Sequence, residues 1–369
     1  MPSLKFRQRT LPCLALLGAL ISATSVQATP APKSKRVKAL QTDQTPDAVI
    51  YGRREDVVRF AAEVAQSRQL DVAWVEAALA QARYQPSVAR LIMPPAVGTA
   101  KNWAAYRGRF VEPQRIRAGV AFWQANEAWL EAAEKQYGVP AEVVVGIIGV
   151  ETYYGRMMGS YRVLDALATL SFDFPTGRKD RSPFFRDELS QFLAMAQREG
   201  QAPTSFKGSY ARAMGLGQFM PSSIQKYAVD FDRDGHVDMA GSAADVIGSV
   251  ANYLAAFGWQ PGMPTHFAVK PPVDTADRAA LLVSDILPSF NAAQLAERGA
   301  QLSDEGRAHT GPLALIELQN GDAAPSHFAG TQNFYVVTRY NWSAYYALAV
   351  IELGQAVKAS RAAAAQAAK

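Results

Sequence analysis

The chain has 369 residues, enough for two or three domains and a sizeable core. Its apolar fraction of 49% and charged fraction of 19% are those of a globular protein. The formal charge of +5 includes three leader residues; without them 35 Lys and Arg face 33 Asp and Glu, which makes no case for nucleic acid as a partner.

In chain order, Lys5, Arg7 and Arg9 form a basic start and Leu11 to Ile21 a short apolar run. Ser25-Val26-Gln27-Ala28 then offers a small-residue cleavage site, so residues 1–28 read as a cleaved signal peptide. The alternative is an uncleaved anchor, but the run is too short to span a bilayer, and no stable membrane insertion is expected. Pro12 before Cys13, with the apolar run mostly behind it, argues against a lipid anchor there. Cys13 is the only cysteine, so the exported chain has no disulfides and its core must supply the stability.

Residues 29–46, rich in Lys, Thr and Pro, read as a linker. Over residues 47–125 a helical domain is expected. Val57, Val58, Phe60 and Ala61 lead one apolar face, Val72, Trp74, Val75 and Ala78 the next, and Pro95 and Pro113 separate helices. In residues 126–260, Pro140 is placed in the first turn of an apolar helix ending at Glu151. Further helices are expected at Asp165–Leu170, Phe185–Arg198 and Ser242–Phe257, the last with Gly258 as C-cap. Residues 261–332 contain many Pro and Gly and alternating runs such as Leu313–Leu318, the pattern of a small β-containing insertion. Helix returns at Tyr345–Val357 within residues 333–357, and the Ala, Lys, Arg and Gln tail, 358–369, is expected to be disordered. The fold class is therefore mostly α, of the α+β kind.

Glu151 ends the run Val143-Val144-Val145-Gly146-Ile147-Ile148-Gly149-Val150, which has no polar side chain. A carboxylate at the lip of an apolar wall is poorly solvated, which raises its pKa and suits a general acid. By itself Glu151 reads first as a helix-terminal carboxylate paired with Arg156 on the surface. The stretch Gly208 to Ser223 brings together three glycines, three serines and Gln218. Backbone at glycine can approach a ligand closely, and the Gln amide both donates and accepts, which suits a sugar acetamido or hydroxyl group. Alone it also reads as a loop before a helix with Ser222 as N-cap.

Asp230, Asp232, Asp234 and Gly235 stand at positions one, three, five and six of an EF-hand pattern. His236 at position seven would contribute its backbone carbonyl. Gly241 stands where the closing Glu is expected. Calcium is the expected cation, with sodium as the alternative, in a structural role; a solvated acidic turn without a metal is the competing, less favoured reading. His266 and His309 have no clustered partners and read as non-ligands, and no phosphate-binding glycine loop supports a nucleotide cofactor.

Taken together, Glu151-Thr152-Tyr153-Tyr154-Gly155 and, some sixty residues on, Ala213-Met214-Gly215-Leu216-Gly217-Gln218-Phe219-Met220-Pro221-Ser222 resemble the lytic murein transglycosylases of the B-type family. Further matches are Asp165 to Phe172, Ile247 to Tyr253, Asn333-Phe334-Tyr335 and Thr338 to Asn341, so the resemblance runs from about Tyr137 to Gln355. It implies a lysozyme-like helical core, an additional helical domain and a small β domain, in a periplasmic enzyme acting on peptidoglycan glycan strands, with other cell-wall enzymes as candidate partners. It implies that Glu151 is the single catalytic acid/base. It places Ser209, Gln218, Phe219, Tyr253, Tyr340, Asn341 and Tyr346 along the glycan groove, and makes Asp245 the residue closing a longer metal loop, 230–245. A Tyr at helical spacing is otherwise a core residue. The implied product is a 1,6-anhydromuramyl end from the MurNAc-β-1,4-GlcNAc bond. The rivals are a hydrolytic muramidase, in which Asp165 or Asp173 would be the second carboxylate, a non-catalytic glycan-binding scaffold, and a calcium-dependent adhesion module.

Overall fold

The computed structural model describes residues 51–93, 101–210 and 213–367. The expected leader and linker lie outside the described residues, as does Pro95. The N-terminal helices are α1 (Glu55–Arg68), α2 (Val72–Ala80), α3 (Pro86–Leu91), α4 (Trp103–Arg107) and α5 (Pro113–Ala125). Asp71 caps α2 by accepting from the Trp74 amide, and Glu112 caps α5 ahead of Pro113. Apolar residues of α1 and α2, such as Phe60 and Leu79, belong to one continuous core with the helices that follow.

Those are α6 (Glu127–Tyr137), α7 (Ala141–Thr152), α8 (Val163–Phe172), α9 (Ser182–Arg198), α10 (Pro221–Tyr227) and α11 (Ala243–Ala256). The short strands β1 (Tyr161–Arg162) and β2 (Lys207–Gly208) pair antiparallel among them. Val143 to Val150 are all buried, so α7 is a central helix, apolar all round. Pro140 is the residue before this helix, with ψ 139, one position earlier than expected. Its extended ψ lets the Glu134 carboxylate accept from the Ala141 amide at 3.0 Å. Gly258 likewise lies one residue past the C-cap Phe257, with φ 89.

The insertion is a four-stranded antiparallel sheet in the order β4-β3-β6-β5, with β3 (His266–Lys270), β4 (Gln301–Leu302), β5 (Ala314–Asn320) and β6 (Ala323–Gly330). Three short helices, α12 (Thr275–Leu282), α13 (Ala292–Glu297) and α14 (Asp304–Ala308), cover it. Phe267, Leu281, Leu295, Leu313 and Leu315 give it a small core of its own.

The chain returns through α15 (Gln332–Thr338) to α16 (Ala344–Ala367), which packs along α7. Here the expected disordered tail is corrected: residues 358–367 continue α16. Alanine is the best helix former, and the basic residues are anchored. Lys358 reaches Glu142 at 2.8 Å, and Arg361 pairs with Glu127 and lies over the Trp123 ring.

Candidate active site

The end of α7 sets the site. Tyr153 (φ 53) and Tyr154 (φ 57) both adopt left-handed backbone, which stops the helix and leaves Glu151 in its last turn. Glu151 is half-buried, and the Tyr346 hydroxyl on α16 donates to its Oε1 at 2.6 Å. Burial pushes the Glu151 carboxyl from the ordinary range up to about 8, and the Tyr346 hydrogen bond pulls the other way. Arg156 lies over the Tyr153 ring at 5.0 Å, so the surface pairing with Glu151 expected from proximity in sequence gives way to Tyr346.

Asp165 and Asp173, the candidate second carboxylates, hold the N-terminal helices to α8. Asp165 is buried and accepts from the Arg83 amide at 3.0 Å and from Gln85. Asp173 takes Arg54 at 2.8 Å and the Tyr51 hydroxyl at 2.7 Å. Neither is among the groups that shift Glu151.

The glycine stretch folds into a tight hairpin. Met214 and Phe219 exchange backbone hydrogen bonds at 2.9 and 3.0 Å, and the turn between them uses Gly215 (φ 70) and Gln218 (φ 52). A side chain at Gly215 would strike the Met239 carbonyl, so only glycine fits. The Gln218 amide donates to Gly215 O at 2.9 Å and to Met158 O at 3.4 Å. Ser209 accepts from the Ala213 amide at 3.2 Å. Both side chains are half-buried at the surface of the turn. Phe219, Tyr253 and Tyr340 form an aromatic cluster with centroids 5.0–5.7 Å apart, and their exposures of 2–5% make them a wall that braces the hairpin. The Tyr340 hydroxyl donates to Gly217 O, and its ring stacks on Tyr346 at 6.4 Å. Asn341 is buried next to it. Ser222 is not the cap of α10: Met220 precedes the helix, and the Ser222 hydroxyl donates to Glu188 at 2.6 Å.

Two residues were missed in the sequence. Thr152 is fully buried; its hydroxyl donates to Leu216 O at 2.8 Å and accepts from the Gly155 amide at 3.1 Å, which ties the Glu151 turn to the glycine hairpin. Tyr106 on α4 feels the Glu151 charge, which, after burial, helps raise its pKa. It packs edge-on to Tyr345 at 5.9 Å. A helix of five residues is too short to show a period, so Tyr106 carried no signal.

Among the described residues, the acidic loop brings carboxylate oxygens of Asp230, Asp232 and Asp245 within 4.8 Å of one another. Asp245 is buried and accepts from the Phe231 amide at 2.7 Å and the Asp238 amide at 2.8 Å, so it clasps both ends of the loop. Ser242 donates to Asp232 at 2.9 Å. Asp234 stands outside this group, exposed, and accepts from the His236 amide at 2.8 Å. Three converging carboxylates fit a hard cation. The loop leans on the hairpin, because Met239 O accepts from the Leu216 amide at 2.9 Å.

The family model for the Transglycosylase SLT domain matches residues 52–355. The chain is 39% identical over 326 residues to membrane-bound lytic murein transglycosylase B of Escherichia coli, covering 84% of this chain and 85% of that one. Catenated lytic transglycosylase SltB1 of Pseudomonas aeruginosa superimposes with a TM-score of 0.76 at 39% identity, over 84% of this chain and 99% of that one. The Escherichia coli lytic transglycosylase Slt35 in complex with calcium does so with a TM-score of 0.72 at 40% identity, over 82% and 93%. The mostly helical fold with small sheets is thus shared with these enzymes, and the chain belongs to the Transglycosylase SLT domain family, as a lytic murein transglycosylase.

Proposed function

We propose that the enzyme cleaves the MurNAc-β-1,4-GlcNAc bond of peptidoglycan with Glu151 as its single acid/base, leaving 1,6-anhydromuramyl ends. The observation that carries this is the carboxyl of Glu151, held protonated near neutral pH by burial, with no second carboxylate among the groups that shift it. The protonated Glu151 gives its proton to the glycosidic oxygen, and the C1–O bond breaks. The substrate's own N-acetyl group stabilises the positive charge developing at C1. Glu151, now a carboxylate, removes the C6 hydroxyl proton of the muramic acid as O6 attacks C1. The acid is thereby restored and no water is consumed. The Tyr346 hydroxyl supports the carboxylate between the two steps.

The half-buried Gln218 and Ser209 are the groups proposed to hold the glycan, on the wall of Phe219, Tyr253, Tyr340 and Asn341. The test is the mass of muropeptides released from purified peptidoglycan. Products lighter by one water than muramidase products are expected; full-mass reducing ends would assign a hydrolase. The strands are met in the periplasm after export through the leader.

The acidic loop is proposed to hold calcium through Asp230, Asp232 and Asp245, with Asp234 and the His236 carbonyl as further ligands. A bound cation neutralises carboxylates that otherwise repel, and so stabilises the loop that supports Leu216. Calcium at a hundred times its dissociation constant should add about 2.7 kcal/mol to the wild type. Asp230→Asn combined with Asp232→Asn should abolish that gain. Melting curves in calcium and in chelator check this, and identical wild-type curves in both would remove the metal site.

A further inference from the structure

A cavity of about 460 Å³ opens beside the glycine hairpin, between the end of α9, β2 and the acidic loop. Its volume is that of a ligand site. Four methionines, Met158, Met195, Met214 and Met239, make much of its wall. Thioether side chains are flexible and polarisable, and they adapt to an alkyl chain. Charged groups line it too: Glu199, Lys207 and Asp238. The Glu199 side chain is 17% exposed, and its ion-pair contact is Arg198 at 3.6 Å, itself largely in solvent. Burial raises the Glu199 carboxyl, so it is poorly solvated and would gain from a cation. Lys207 is exposed. The cavity begins one hydrogen bond from the hairpin, since Met158 supplies the carbonyl that Gln218 contacts.

We propose that this cavity is a stem-peptide subsite that takes the side chain of an aliphatic diamino acid. The methylene chain lies against the methionines. The terminal ammonium meets Glu199 and Asp238, and a terminal carboxylate, where the diamino acid has one, meets Lys207. An apolar wall with both signs of charge matches an alkyl chain ending in an amino-acid group. The inference rests on the peptidoglycan reading above and adds a preference for peptide-bearing strands.

The first test titrates three free stem tetrapeptides into the mature protein by calorimetry, with meso-diaminopimelate, lysine or Nε-acetyl-lysine at the third position. Diaminopimelate should bind tightest, lysine more weakly, and the acetyl-lysine peptide, whose third side chain is uncharged, roughly tenfold or more below diaminopimelate, the size of a lost charge-assisted hydrogen bond. Equal binding of all three, or of none, would overturn the subsite. The second test compares Glu199→Gln with wild type on peptide-bearing and peptide-stripped glycan. KM should rise about tenfold on the first and stay level on the second, with kcat kept on both. An equal rise on both would also overturn it, whereas failure of wild type to cleave either glycan would overturn the peptidoglycan reading instead.

Discussion

Glu151→Gln is expected to lower the cleavage rate by about 10²–10⁴-fold while glycan binding persists. The amide keeps the shape at the end of α7 and can still meet the Tyr346 hydroxyl, but it carries no proton to deliver. Loss of binding together with cleavage would mean that Glu151 holds substrate rather than protonating it. A glycan-binding scaffold would show no cleavage even before the change. The pH dependence has a definite sign. Burial raises the folded-state pKa to about 8 from an ordinary 4.5, so the acid is available up to about pH 8 and kcat/KM should fall above it. The folded state holds the proton more tightly than the unfolded one. The contribution of Glu151 to stability is therefore full below about pH 4.5 and is lost as pH rises to about 8. Glu151→Gln removes this titration, so its melting temperature should gain on the wild type across that window. A constant difference in melting temperature from acid to alkaline pH would contradict a buried protonated acid.

Gly146→Ala is expected to destabilise the protein and to slow it. Two effects compete. Replacing a mid-helix glycine by alanine favours the helix by about 1 kcal/mol. Against this, a Cβ at Gly146 would sit 2.2 Å from the Val350 carbonyl oxygen of α16, a backbone atom that cannot step aside. The reciprocal contact exists at Gly354, whose Cβ would lie 2.0 Å from the Glu142 carbonyl oxygen of α7. Overpacking of this kind costs about 1–3 kcal/mol, and with no room on either side the upper part of that range is expected to win. Each kcal/mol lowers the melting temperature by roughly 2–4 °C for a domain of 150–250 residues. Parting α7 from α16 also parts Glu151 from Tyr346, now 2.6 Å away, so kcat should fall with stability. A melting temperature that rises would show that the helices separate freely and that propensity decides.

Much of this molecule was readable in the chain because the signals are local. The apolar run before Glu151 is a buried helix, the alternation at Leu313–Leu318 is β5, and the spaced aspartates form a loop in which two of them converge. The tail was misread because composition alone favours disorder there, while Glu142 and Glu127, the partners of Lys358 and Arg361, lie more than 200 residues earlier in the chain. Ser222 was misread because a hydroxyl before an apolar helix signals a cap, whereas Glu188 on another helix claims it.

The sequence by itself determined the mostly helical class, the place of the β insertion, Glu151 as candidate acid and the acidic loop, since periodicity and spacing are properties of neighbouring residues. Only the tertiary structure decided that Tyr346, 195 residues away, would meet Glu151, that Asp165 and Asp173 would be engaged with the N-terminal helices, and that Thr152 would join the helix end to the glycine hairpin. Solvation and hydrogen-bond partners set the protonation of a carboxyl, and both are fixed by what surrounds it in space.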